Sequence, residues 1–392
     1  MDAFSKMKGI TMPPVDLRTL RVDQIGSLQR PATLKAAYAR HLAGKLSDQD
    51  LHQAQDEAVL EAITTQQAHG LPVLTDGEFR RMHFMESFGE VAGMEQWKTK
   101  LDAVIRSLDD EADAANARDV RGADPTLRTQ RSVTQKLKLV RNRPLEEFEY
   151  AQTIASQPVK VTLLDTDRIC QGYDPEGSQA FYANTEAFLA DVVAVEREMV
   201  TGLVNAGCKY IQMDAPSYTR YVDAASLEVM SERGEDPRQS LAAAIQADNA
   251  VIEGFPKTVF GLHMCRGNRH SMWHREGLLD PIAEQIFTGV KHQRLLIEYD
   301  TERAGTFEPL RFVPKDKVVV LGLITSKTGK LETMDYLLRR IEEATKYLPL
   351  DQLALSPQCG FASDLRGNLI SEEDQWRKLD LMMETARKVW GG

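Results

Sequence analysis

The chain has 392 residues, 42% hydrophobic and 27% charged, with a formal net charge of −10. That composition supports a large core, and the acidic balance leaves no basic excess for nucleic acid or an anionic membrane. Met1 to Leu17 holds no apolar run of signal-peptide type and nothing approaches the roughly 18 apolar residues of a membrane span, while four cysteines are too few for a disulfide scaffold; a cytoplasmic protein with free thiols is expected.

Residues 1 to about 20 read as an arm with little periodicity. Gln24-Ile25-Gly26-Ser27 then reads as a first strand running into a tight turn. Ser47 is a helix N-cap with Asp50 at the third helical position, so orphan backbone donors are satisfied there. Leu51, Ala54, Ala58, Ala62 and Ile63 keep to one helical face, and Gly70 ends it. Leu71 to Thr75 is the second strand, followed by Asp76-Gly77-Glu78-Phe79-Arg80-Arg81. Asp-Gly signals a turn. Arg80 and Arg81 are expected on a solvated face.

Residues 94–143 are charge-rich and break the strand–helix rhythm. They are expected to form a helical and hairpin-like excursion between the second and third strands. Pro144 opens a helix, where its missing N–H costs nothing. Val159 to Leu164 is the third strand, followed by Asp165-Thr166-Asp167. Thr185 to Ala206 is an amphipathic helix capped by Gly207. Tyr210 to Asp214 is a strand ending in an acid, expensive to bury unpaired. Further strands are expected near residues 260, 295, 319 and 353, and further helices over Leu337 to Leu348 and Glu372 to Trp390. Eight strand-like runs alternating with helices define an α/β chain, expected as a single (β/α)8 barrel spanning 1–392.

Three strands of that pattern end on residues of one chemistry. His263 and Cys265 close the run from Val259, Glu298 closes the run from Arg294, and Cys359 follows the run from Leu353. Two thiolates, an imidazole and a carboxylate suit zinc, and soft donors disfavour magnesium or calcium. His-x-Cys alone is weak, because free cysteine is often a plain core residue. Placement of all four donors at the C-terminal ends of strands, the face where barrel active sites are built, gives the set its meaning. His270 and His274 have the spacing of a helical zinc pair, but no Glu follows the first, and a fuller set exists.

These motifs, His263-Met-Cys265, Ile297-Glu298 and Cys359-Gly360, resemble the cobalamin-independent methionine synthase family, specifically its short single-barrel members. The resemblance runs from about Asp23 to the C-terminus. It implies zinc held by His263, Cys265, Glu298 and Cys359. It implies an amino-acid substrate beside Ile25-Gly26-Ser27, with Ser27 and the turn at its carboxylate and Glu78 and Asp214 at its ammonium. It places Lys327 where long members carry a proton-relay histidine. Asp214-Ala215-Pro216 lacks the second acid of the family's Asp-Glu-Pro, and Asp165-Thr166-Asp167 departs from the turn expected at the methyl donor.

The implied activity is methyl transfer to a thiol, with homocysteine as acceptor and a methyl-folate, a methyl-corrinoid protein or another methylated compound as donor. Zinc would keep the acceptor sulfur as a thiolate. The alternatives are alkyl transfer to another thiol, as in epoxyalkane–coenzyme M transferases, and a metal-independent barrel lyase or decarboxylase. A homo-oligomer is compatible with all of them.

Overall fold

A computed structural model describes residues 15–88, 90–95, 121 and 130–391. In chain order the strands are β1 (Val91–Ala92), β2 (Lys138–Leu139), β3 (Lys160–Leu164), β4 (Tyr210–Asp214), β5 (Val259–Met264), β6 (Arg294–Glu298), β7 (Val318–Ile324) and β8 (Leu353–Pro357). The α-helices are α1 (Ala32–Leu42), α2 (Asp48–Ala68), α3 (Arg143–Ile154), α4 (Thr166–Gln171), α5 (Thr185–Asn205), α6 (Ala224–Glu232), α7 (Pro237–Ile252), α8 (Asp280–Gly289), α9 (Met334–Ala344) and α10 (Glu372–Trp390). The boundaries follow the capping chemistry. Ser47 accepts from Asp50 N, and Asn142, Asn184, Asp223, Thr333 and Ser371 each cap a helix in the same way.

β3 to β8 form one parallel sheet in sequence order, every strand residue buried. Burial on both faces explains their near-continuous apolar runs. The two N-terminal strands expected near residues 24 and 72 are present only as single bridges. Val22 pairs parallel with Leu355 and Leu74 with Val159, so these segments flank β8 and β3 and complete a (β/α)8 barrel.

Between the two segments, side chains replace ladder bonds. Gln24 Nε2 donates to the Val73 carbonyl at 3.1 Å and Thr75 Oγ1 to the Gly26 carbonyl at 2.7 Å. Gly26 accounts for part of this irregularity. Its φ is +154°, and a Cβ there would meet Thr162 Cγ2 at 2.7 Å and Glu78 Oε1 at 3.1 Å. Only glycine lets this backbone lie so close to the site.

The barrel floor is polar. Asp23 receives Lys160 Nζ at 2.8 Å, Arg294 Nε at 3.2 Å and Tyr210 OH at 2.6 Å, and both ion-paired cations are fully buried. Lys160 also donates to Gln212 Oε1 at 2.8 Å.

The excursion predicted over 94–143 lies largely outside the described residues. Just before it, β1 pairs antiparallel with β2, which lies near its C-terminal end. No helix among the described residues is long and apolar enough to cross a membrane.

Candidate metal centre

His263 is the fifth residue of β5, Cys265 follows that strand, Glu298 ends β6 and Cys359 lies two residues beyond β8. The parallel registers bring these strand ends together. One ligand atom from each of the four lies within 4.8 Å of the others, and all four residues are buried. Among the described residues this is the one such group.

The donor chemistry fits a metal. Both ring nitrogens of His263 are buried without a hydrogen-bond partner, as is Glu298 Oε2. Such orphans cost free energy unless something satisfies them, and a cation among them does so. The Cys265 and Cys359 sulfurs lie 3.4 Å apart as free thiols. Sharing a proton with Cys359 pushes the Cys265 thiol up, as does burial. The same contact, with help from His263, pulls Cys359 down to about 6. Of the pair, Cys359 is the sulfur whose deprotonation is favoured, and the thiolate is the form a metal requires.

The loops that carry the ligands are tied to one another. Arg266 N donates to Glu298 Oε1 at 2.8 Å and Gly267 N to Cys265 Sγ at 3.2 Å. Asn268 Nδ2 donates to the Gly360 carbonyl at 2.7 Å, linking the Cys265 loop to the Cys359 loop. Lys327 is fully buried, and its ammonium donates to the Gly267 carbonyl and to Asn268 Oδ1, both at 3.1 Å. It does not line the cavity above the ligands. A Cβ on Gly360 would stand 2.0 Å from Ser27 Oγ, so the residue after Cys359 must be small for Ser27 to pack there.

That cavity encloses about 920 Å³ counting its open mouth. Ile25, Ser27, Glu78, Asp214, His263, Cys265 and Cys359 all line it, so four of the residues expected at the substrate share one surface with three of the four candidate donors. Ser27 Oγ accepts from Ala362 N at 3.4 Å.

Glu78 sits in the left-handed region at φ +59° after Gly77 at +71°. Its Oε1 accepts from Thr162 Oγ1 at 2.7 Å, and its Oε2 is buried without a partner. Arg81 corrects the expectation of a solvated face: it is 2% exposed, grips Glu147 with Nη2 at 2.6 Å and donates to Thr162 Oγ1 at 3.0 Å. Arg81 thereby holds Thr162, which holds Glu78. Arg80 is also buried and pairs with Asp56.

Asp214 lies beside His263 in the β4–β5 register and accepts from Gln212 Nε2 at 2.7 Å. Burial pushes its carboxyl up to about 7, His263 opposes that rise, and Glu78 adds to it. An ammonium placed beside Asp214 would favour its charged form. Gln212 also bonds Lys160, so Asp214 is connected to the barrel floor.

His270 and His274 do not form a helical pair. Residues 265–279 contain no helix, and His270 and Ser271 take φ of +49° and +69°. His270 Nδ1 lies 2.9 Å from the Gly367 carbonyl, while His274 lines the cavity. Sequence reasoning missed Thr162, Arg81, Gln212 and Asn268, which orient the site. Only their tertiary partners distinguish them from ordinary strand or loop residues.

The fold and site thus define a (β/α)8 barrel with a soft-metal donor set at its strand ends. Residues 20–388 match the family described as "Cobalamin-independent synthase, Catalytic domain", and the chain belongs to that family. The uncharacterized protein YxjH of Bacillus subtilis (strain 168) is 33% identical, with 94% of each chain covered. A methionine synthase of Sulfurisphaera tokodaii is 25% identical over 88% of this chain and 87% of its own. A solved structure from Listeria monocytogenes, described as "Putative Vitamin-B12 Independent Methionine Synthase", is 26% identical. It aligns with a TM-score of 0.71, covering 98% of this chain and 100% of its own. The chain is therefore a cobalamin-independent methionine synthase-like catalytic domain.

Proposed function

We propose that this chain acts as a single catalytic barrel that transfers a methyl group to a thiol held at zinc, with homocysteine as acceptor and methionine as product. The observation that carries the reading is that one cavity is lined by His263, Cys265 and Cys359, which cluster with Glu298 as a His-Cys-Glu-Cys donor set, and by Glu78 and Asp214. His263, Cys265, Glu298 and Cys359 would hold the metal, with Glu298 the ligand best suited to yield to a substrate sulfur, because closed structural sites favour Cys and His. When bound, zinc lowers the pKa of a coordinating thiol, so the acceptor is a thiolate at neutral pH.

The remaining work falls to this chain's own residues. Glu78 and Asp214 bind the acceptor's ammonium, and Ser27 with the Gly26 backbone faces its carboxylate. Together they fix the sulfur in place, supplying proximity and orientation. Methyl transfer forms a sulfur–carbon bond and breaks the bond between methyl carbon and donor atom, which keeps the electron pair. Lys327 supports the reaction from behind, by holding Gly267 and Asn268 and through them both cysteine loops. The donor is a methyl-folate, a methyl-corrinoid protein or another methylated compound. A sulfonate thiol such as coenzyme M would set an anion against Glu78 and Asp214, which favours the amino acid.

Glu78→Gln keeps the shape and removes the charge. It should weaken homocysteine binding by about 10- to 100-fold, the worth of a charge-assisted hydrogen bond in a buried site, and leave zinc content unchanged. Calorimetric titration of the zinc-loaded proteins reads this directly. Equal homocysteine affinity in the two proteins would remove Glu78 from the acceptor site.

A further inference from the structure

The turn that carries Glu78 and the loop that carries Cys359 are joined through one short segment, residues 27–30. Leu28 N donates to the Gly77 carbonyl at 3.1 Å, and Phe361 N donates to the Ser27 carbonyl at 2.9 Å. Arg30 adds a link through its side chain, which is 1% exposed. Its Nη2 donates to the Glu78 carbonyl at 3.0 Å and the Arg81 carbonyl at 2.8 Å. Its Nη1 donates to the Ala362 carbonyl at 2.9 Å and the Asp364 carbonyl at 3.1 Å. Two carbonyls of the Glu78 turn and two from the segment after Cys359 thus meet on one planar fork. A lysine ammonium carries its donors on a single atom and does not reproduce that fork.

The contact matters because Glu78 is strained. Its φ of +59° lies in the left-handed region, which costs a non-glycine residue free energy unless its surroundings hold it there. The Glu78 carbonyl receives two donors, Arg30 Nη2 and, at 3.0 Å, Arg81 N. Together they fix the peptide plane that follows Glu78, and with it the direction of the side chain. The other half of the same guanidinium is fixed to the loop after β8. Glu78 and Cys359 both line the cavity, so Arg30 ties the placement of one to that of the other. Arg30 itself does not line the cavity and acts through these two segments.

We propose that Arg30 is a positioning residue that sets which thiol amino acid the site accepts, by holding the Glu78 carboxylate at a fixed distance from the metal donors. This rests on the reading above, with the acceptor's ammonium at Glu78 and its sulfur at the metal. A fixed span between two anchors selects chain length. Cysteine is one methylene shorter than homocysteine, so it reaches one anchor at the expense of the other while neither moves.

The test titrates zinc-loaded wild type, Arg30→Gln and Arg30→Lys with homocysteine and with cysteine by calorimetry. Wild type should prefer homocysteine by about tenfold or more, the usual worth of a methylene in a fitted site. Arg30→Gln should bring the two affinities to within about twofold, with Arg30→Lys between, and zinc stoichiometry should not change. Arg30→Lys keeps a buried cation and serves where Arg30→Gln folds poorly. Added to Glu78→Gln, Arg30→Gln should cost no further homocysteine affinity, because residues that act through one another are not additive. A wild-type preference retained in both variants, or losses that add in full, would overturn the proposal and leave Arg30 a structural clamp. Amide hydrogen exchange needs no thiol. Residues 78–82 and 361–365 should exchange faster in Arg30→Gln while β6 does not, and unchanged exchange in both segments would also overturn the proposal. Wild-type protein that binds neither thiol contradicts the acceptor reading, whereas faster exchange in the variant would still assign Arg30 to the Glu78 turn.

Discussion

Cys359→Ser is expected to lower zinc affinity by at least two orders of magnitude and to abolish methyl transfer, while the metal-free protein keeps its fold. The sulfur of Cys359 is 3.4 Å from that of Cys265 and is the member of the pair drawn down to about 6. A serine hydroxyl keeps the volume but offers a hard, protonated oxygen where a soft anion stood. The loop itself does not depend on the sulfur. Asn268 holds the Gly360 carbonyl, and Phe361 N donates to the Ser27 carbonyl at 2.9 Å. Metal titration against a competing chelator, with circular dichroism melting of the metal-free proteins, measures both parts. Retention of wild-type zinc affinity would take Cys359 out of the ligand set.

Asp23→Asn is the second large effect, and it acts on stability. The substitution leaves Lys160 and Arg294 buried with no carboxylate between them. Breaking one side of a buried ion pair typically costs about 3–5 kcal/mol, because the uncompensated charge remains in a poor solvent. The denaturation midpoint should fall accordingly, with zinc stoichiometry preserved in the folded fraction. Burial pushes the Asp23 carboxyl up, but Lys160 and Arg294 overcome this and hold it below its ordinary 3.8. A depressed carboxyl stabilises the fold above its unfolded pKa, and that contribution is lost as pH falls through the lower folded value. The stability gap between wild type and Asp23→Asn should therefore be widest near neutrality and shrink in acid. A gap under about 1 kcal/mol, or one that grows in acid, would contradict this role for the barrel floor.

The barrel was legible because β3 to β8 are buried on both faces, and continuous apolar runs followed by periodic helices have few other solutions. Tyr210–Asp214 and Glu372–Trp390 fall where hydrophobic pattern and caps put them. The first two strands were legible as extended segments but not as irregular ones. Their pairing runs through Gln24 and Thr75 side chains, and no local pattern encodes that.

The clustering of the four candidate donors was legible from residue type at strand ends, since parallel register converts that position into proximity. What sequence hid is the support. Arg81 carries the polarity of a surface residue, and only Glu147, 66 positions away, makes it a buried one. Lys327 occupies a place where a relay was expected, yet its ammonium faces Gly267 and Asn268, a contact set by the fold of the loop after β5. Asp165-Thr166-Asp167 looked like a lost turn. Asp165 instead caps α4, the helix that carries Arg168 to the cavity.

The most direct test is zinc X-ray absorption on the purified protein, with and without homocysteine. The account predicts two sulfur neighbours from Cys265 and Cys359 in the free protein, rising to three when homocysteine is added, with loss of an oxygen neighbour as Glu298 yields. Zinc with an unchanged sulfur count would contradict it, and would leave either a structural metal or an acceptor other than homocysteine.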